Sequence, residues 1–457
     1  MDNDFDNVTW SNESTNRQAD PSDLPTPRPT ADPIDLAGIS SGALDCEVGL
    51  PLKEGSSKDA YISYLVTTHT DFKSFQKPKV QVRRRFTDFV FLFKSLSADY
   101  PACGVPPLPD RQRMEYVRGD RFGPDFTNRR AHSLGRFLRR ITLHPQLRRS
   151  SLLVIFLESP EWNSHMRMRP GRSASTSESV FDNFADTFVN AFSKVHKPDK
   201  RFIEVRDKSD KLDEDLGHIE KIVARVSRRE ADLELDYADL ATQFLKLAVL
   251  EPEVEVEVHG FARGIEDSSQ GLTVLKEVTD QDYLTSLKDM EAYSGALKSL
   301  LKTREQKQLD FEGLTEYLAK AVQDRDALAS SHGTSALSSP TGFLRSKLED
   351  VRGVDHEAAR RERIRKLELQ IDRLTQEVED ARATSELFDE EVVREIADFE
   401  RIKAAEFRDT LGTFATAHVG FYEQVIHTWE QYIDGMDKGL VEETGRQIRG
   451  AEERTSA

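Results

Sequence analysis

The sequence predicts an α+β domain of about 115 residues followed by an all-α bundle of three long helices. Two short β-patterned runs precede several helical patterns in the stretch that opens at Asp45. From Asp199 to about Gln447 almost every residue is helix-forming or charged, with apolar residues at intervals of three and four. The charge is also divided: residues 77–150 hold 17 Lys/Arg against 6 Asp/Glu, a balance of +11, so the rest of the chain carries −28. A basic island in an acidic chain is an electrostatic footprint for phosphates, lipid or nucleic acid.

Residues 1–44 are rich in Asp, Ser, Asn and Pro and offer little to bury, which predicts a disordered acidic N-terminus. Within the first domain, placed at 45–160, Tyr61–Val66 and Lys79–Arg83 read as strands of a small antiparallel sheet. Thr87 opens an amphipathic helix carrying Phe89, Leu92, Phe93 and Leu96, and Pro101 ends it. The loop Pro106-Pro107-Leu108-Pro109 follows, then helices over 129–141 and 146–157. Residues 161–178 read as a linker and 179–196 as an amphipathic helix with Phe181, Phe184, Phe188 and Phe192 on one face. That face either enters a bilayer interface or packs on the bundle.

The bundle is placed at 197–447, with a short tail at 448–457. Val205, Leu212, Leu216, Ile219, Val223, Val226 and Leu233 stripe its first helix, which Pro252 must break or kink. Val254, Val256 and Val258 alternate with Glu as in a strand, but helical flanks on both sides outweigh that pattern. A second helix is expected over 280–329, and a turn at 330–341. The third has the best heptads: Ile364, Leu367, Ile371, Leu374, Val378, Ala381, Ser385, Phe388 and Val392. Phe407, Phe414 and Phe421 continue at sevens, and such seams imply a partner.

Composition excludes several classes. Two cysteines make no disulfide framework, and no Cys/His set has metal-ligand spacing. The longest apolar run, Leu152–Leu157, is far short of the ~20 residues of a membrane span. The acidic N-terminus lacks the apolar core of a signal peptide, so a cytosolic protein with peripheral membrane contact is expected. After residue 160 there is no Gly-rich phosphate loop, nucleophile elbow or metal-binding cluster, which argues against an enzyme and predicts no cofactor.

The chemistry concentrates in Arg83-Arg84-Arg85-Phe86-Thr87-Asp88-Phe89, where a strand ends and a helix begins. An inositol phosphate calls for a guanidinium fork on phosphate oxygens and a flat apolar surface under the ring, and Arg85 followed by Phe86 supplies both. Arg83 and Arg84 read as surface or fold-supporting charges. Further basic points stand at Arg111 and Arg113 after the proline loop, and at Arg129 and Arg130.

The run Arg84–Phe89, the Pro-Pro-Leu-Pro loop and the later arginine, in that order, resemble the phox-homology (PX) domain. Gly119-Asp120-Arg121-Phe122, Arg130-Ala131-His132-Ser133-Leu134, Phe137-Leu138-Arg139-Arg140 and Leu143-His144-Pro145 are similar to the sorting nexin-4 branch of the PX–BAR sorting nexins. The resemblance implies a PX domain followed by a three-helix BAR coiled-coil bundle. It implies that Arg85 binds the 3-phosphate of phosphatidylinositol 3-phosphate, Phe86 floors the inositol ring, Arg111 meets the 1-phosphate and Arg130, with Arg129 its neighbour, holds ring hydroxyls. Met114, Tyr116 and Val117 on the adjoining loop either dip into the bilayer or pack on their own domain. The implied setting is the endosome and pre-autophagosomal structure, in cargo retrieval to the Golgi and selective autophagy. The implied partners are a second PX–BAR subunit or another copy of the chain, the autophagy machinery and cargo proteins, and not nucleic acid. A coiled-coil tether that binds the same lipid without remodelling membrane is the rival reading.

Overall fold

A computed structural model describes residues 43–55, 60–109, 122–168, 199–330 and 356–455, with side chains to 437. The expected disordered N-terminus, the amphipathic helix at 179–196 and the loop holding Arg111, Met114, Tyr116 and Val117 lie outside the described residues.

The first domain is an antiparallel meander, β1 (Leu44–Glu54), β2 (Tyr61–Thr70) and β3 (Lys79–Arg85). Strand β1 goes beyond the two predicted strands. It buries Leu44 and Cys46 and exposes Asp45 and Glu47, but a bulge between Gly49 and Leu52, with Leu50 at φ 43°, breaks the alternation. Helix α1 (Phe86–Asp99) follows β3 directly, then α2 (Pro124–Leu143), a 3-10 turn at Leu147–Arg149, α3 (Ser151–Glu158) and α4 (Trp162–Met168). The predicted linker therefore begins within packed structure: Trp162 is buried edge-on against Phe91 and Phe156, at 5.7 and 5.1 Å between ring centroids. Tyr64, Val66, Phe89, Leu92, Leu134, Phe137 and Leu138 form the core around which sheet and helices close.

The three long helices are α5 (Lys200–Leu250), a rod running α6 (Glu255–Glu277) to α7 (Leu284–Ser330), and α8 (His356–Thr455). The 100 residues of α8 extend to roughly 150 Å. Pro252 breaks the chain between α5 and α6 as expected. The second rod starts at Glu255, well before the expected 280, and the Val-Glu alternation is helical, as its flanks predict. A π turn at Val278–Tyr283 joins its two halves. The predicted α5 stripe divides. Leu216 and Val223 pack inward with Tyr293 and Phe399, whereas Ile219, Val226 and Leu233 are about 40% exposed. A strict seven-residue repeat drifts ~20° per heptad round a straight helix, so residues that start inward turn outward.

The second and third rods run antiparallel, and three glycines set their approach. A Cβ at Gly260, Gly264 or Gly271 would meet Tyr432, Trp429 or Phe421 at 3.1, 3.3 and 3.0 Å. Replacing Gly264 with leucine is expected to lower stability by about 1–3 kcal/mol through overpacking against Trp429, measured as a shift in thermal melting; an unchanged melt would mean that the rods separate freely.

Candidate functional site

Strand period alone sorts the three arginines at the end of β3. Arg84 points into the core, where its Nε and Nη2 donate to the Phe156 carbonyl at 2.9 and 2.7 Å. Burial pulls its guanidinium down to about 10, and its place is structural, as expected for one of the flanking charges. Arg83 and Arg85 point outward. Arg83 donates from Nη1 to the Leu50 carbonyl at 3.2 Å, bracing the β1 bulge.

Arg85 stands at the strand-to-helix junction with its side chain 44% exposed. Its backbone N–H donates to Asp88 Oδ2 at 2.9 Å and its Nε to Asp88 Oδ1 at 3.3 Å. Asp88 thus caps α1 and aims Arg85. Burial pushes the Asp88 carboxyl up, against the pull of the Arg85 hydrogen bonds. The Tyr61 ring lies 6.0 Å from the Arg85 guanidinium.

Phe86, the first residue of α1, is half-buried. The guanidinium of Arg130, from α2, lies 4.5 Å from the Phe86 ring and 4.3 Å from that of Phe126. Ring and cation are therefore one stacked unit. Phe126 precedes Arg130 by one helical turn, so the i, i+4 spacing could have marked it, yet the sequence reading passed over it. Lys53 is a further cation at this end of the sheet, with Nζ 4.4 Å from the Phe122 ring. The register sets it there, since Lys53 pairs with Ile62 and Arg85 with Ser63. The structure thus brings together Arg85 and Phe86, at the junction of β3 and α1, with Arg130 of α2, distant in sequence. Arg129 parts from its neighbour: its Nη2 bonds Asp280 in the π turn. The predicted Arg111, Met114, Tyr116, Val117, Phe181, Phe184, Phe188 and Phe192 lie outside the described residues.

Two cations on an aromatic support at the rim of a sheet suit a small polyanion, for which guanidinium forks are the natural ligands.

A PX domain model matches residues 72–160. The chain is 65% identical to sorting nexin-4 of Emericella nidulans, over 92% of this chain and 89% of that protein. It is 59% identical to sorting nexin-4 of Pyricularia oryzae over 94% and 92% of the two chains. It is also 41% identical to sorting nexin-4 of Cryptococcus neoformans over 85% and 80%. Among solved structures, the SNX-BAR Mvp1 tetramer seen by electron cryomicroscopy is similar with a TM-score of 0.50 and 17% identity, covering 85% of this chain and 100% of that one.

Proposed function

The chain belongs to the sorting nexin-4 family of PX–BAR membrane-binding sorting nexins, a family of non-enzymatic trafficking adaptors, and from that premise we propose that it reads phosphatidylinositol 3-phosphate as a dimer on curved endosomal and pre-autophagosomal membranes. There it supports cargo retrieval from endosome to Golgi and selective autophagy. The observation that carries the lipid reading is the pairing of exposed Arg85 with Arg130 stacked on Phe86. Arg85 takes the 3-phosphate and Arg130 the ring hydroxyls, with Arg111 on the 1-phosphate. Met114, Tyr116 and Val117, and the Phe181, Phe184, Phe188 and Phe192 face, add apolar insertion. Among the described residues no helix is long and apolar enough to cross a membrane, in keeping with a peripheral mode.

Dimerisation is supported by apolar surface that one chain leaves uncovered. On α5, Ile222 is 58% exposed beside Ile219, Val226 and Leu233, and on α8 Val419, Tyr422, Ile426 and Ile433 are 55–59% exposed. The two stripes follow one another along the bundle, since Ser269 donates to the Glu234 carbonyl while neighbouring Gly271 faces Phe421, which puts the end of the α5 stripe level with the start of the α8 stripe. Contiguous apolar stripes on a soluble bundle mark an association surface. We take its occupant to be a second PX–BAR subunit, another copy or a related chain. One superficial head-group site of micromolar affinity corresponds to about 8 kcal/mol, and a second site on the same particle raises avidity by ~10² or more.

Co-flotation with vesicles of small and large diameter, with and without phosphatidylinositol 3-phosphate, tests both parts together. The unaltered chain is expected to float only with the lipid and better on small vesicles. Arg85→Ala should abolish flotation, and Ile426→Glu should leave a monomer that floats weakly at either size. Flotation independent of the lipid sinks the head-group reading, and lipid dependence without size dependence favours a tether.

A further inference from the structure

Helix α2 presents two faces. Arg130 points to Phe86, while Arg129, His132, Arg136 and Arg140, spaced three and four apart, point to the bundle. Arg136 reaches Asp282 of the π turn at 2.7 Å, Asp289 at 2.8 Å and the Thr285 hydroxyl at 2.6 Å. Arg140 forms a two-pronged pair with Glu406 of α8, at 2.7 and 2.6 Å, and donates to the Asp289 carbonyl at 2.9 Å. The Arg140 and Glu406 side chains are 2% and 6% exposed, so the pair is out of water. Just beyond α2, His144 Nδ1 accepts the backbone N–H groups of Gln146 and Leu147, which leaves the proton on Nε2 to donate to Glu395 at 2.8 Å.

We infer that this buried network fixes the orientation of the head-group site on the helical rod, so that α2 couples lipid reading to the bundle. The inference rests on the lipid-binding function proposed above. A buried ion pair is a poor way to gain stability, because well-packed apolar residues of the same volume do as well or better. What the network adds is direction. An apolar seam slides, but forked guanidinium bonds to carboxylates on three separate segments, the π turn, α7 and α8, are satisfied in one register only. Arg130 sits on the same rigid helix, one residue and about 100° round from Arg129, and inherits that register. Binding of two sites on one vesicle gains from effective concentration only if both sites can reach the surface together. A loosened α2 therefore keeps its head-group affinity and loses its vesicle affinity.

The test compares the full chain with the variant Arg140→Met, Glu406→Leu, which removes both charges and keeps the volume. A water-soluble short-chain phosphatidylinositol 3-phosphate is titrated by calorimetry, and phosphatidylcholine vesicles carrying the long-chain lipid are used for flotation. Head-group affinity is expected to stay within about twofold while vesicle binding falls by about tenfold or more. Equal losses in both assays would mean that the network merely holds the pocket's fold, and no loss in either would mean that orientation is irrelevant; both overturn the inference. An unaltered chain that binds neither probe overturns the lipid reading, and this inference with it. Should the core variant not fold, the more exposed pair Arg139–Asp409, removed as Arg139→Ala, Asp409→Ala, carries the same expectation at smaller size, and no vesicle loss there overturns the inference.

Discussion

Replacing Arg140 alone with alanine is expected to destabilise the docked PX domain by about 3–5 kcal/mol, a drop on the order of 10 °C in melting temperature. Burial works to lower the Arg140 guanidinium, but Glu406 and Asp289 outweigh it and hold the group above its ordinary value, so the charge is present throughout the physiological range. Removing it leaves the buried Glu406 carboxyl without its guanidinium partner, the costly way to break a buried pair. Opening between α2 and α8 lets water reach the stranded carboxyl. Hydrogen exchange of 395–409 in α8 and of α2 should therefore accelerate together, while the β2–β3 pairing stays protected. Arg140→Met with Glu406→Leu should recover most of the lost stability, because no charge is then stranded. A single variant as stable as the unaltered chain would mean that Glu406 is hydrated and the clamp open in solution.

The arginines of α2 also mark where the sequence stops being legible. Residues 77–150 read as a phosphate footprint because their charges exceed what a small fold needs. In the structure Arg84 is in the core, and Arg129, Arg136, Arg139 and Arg140 are taken by carboxylates of the bundle. Part of the basic island therefore answers the acidic remainder of this same chain. Spacing on α2 could have shown that Arg129, His132, Arg136 and Arg140 share a face. It could not show what that face meets, since Asp282 and Glu406 lie 146 and 266 residues away from Arg136 and Arg140. Strands β2 and β3 and the α1 stripe were readable because alternation and helical spacing are local consequences of burial on one side. Strand β1 was not, because Gly49-Leu50-Pro51 interrupts its alternation at the bulge. The α5 stripe was readable as apolar, but its division into inward and outward halves depends on how far the helix drifts over several heptads.

Arg129 and Arg130, adjacent and chemically alike, should behave in opposite ways, and that contrast is the sharpest test of the site. Arg130→Ala removes a guanidinium held between Phe86 and Phe126, where it is already ordered before any ligand arrives. Hydrogen bonds to charged groups contribute about 1.5–3 kcal/mol each, so the loss of this one should weaken soluble head-group binding by about 10- to 100-fold. On vesicles the proposed dimer would lose the contact twice, and flotation should disappear. The fold should survive, since Phe86 and Phe126 can close over the space. Arg129→Ala breaks the bond to Asp280 in the π turn and leaves the pocket intact. Its head-group affinity should match the unaltered chain, and any deficit should appear only on vesicles, through a looser α2. Arg130→Lys is the informative intermediate: the charge remains, but the flat stacking surface does not, so partial recovery is expected. Equal losses for Arg129→Ala and Arg130→Ala in the soluble assay would mean that bulk positive charge, and not a stacked guanidinium, draws the lipid to this end of the sheet.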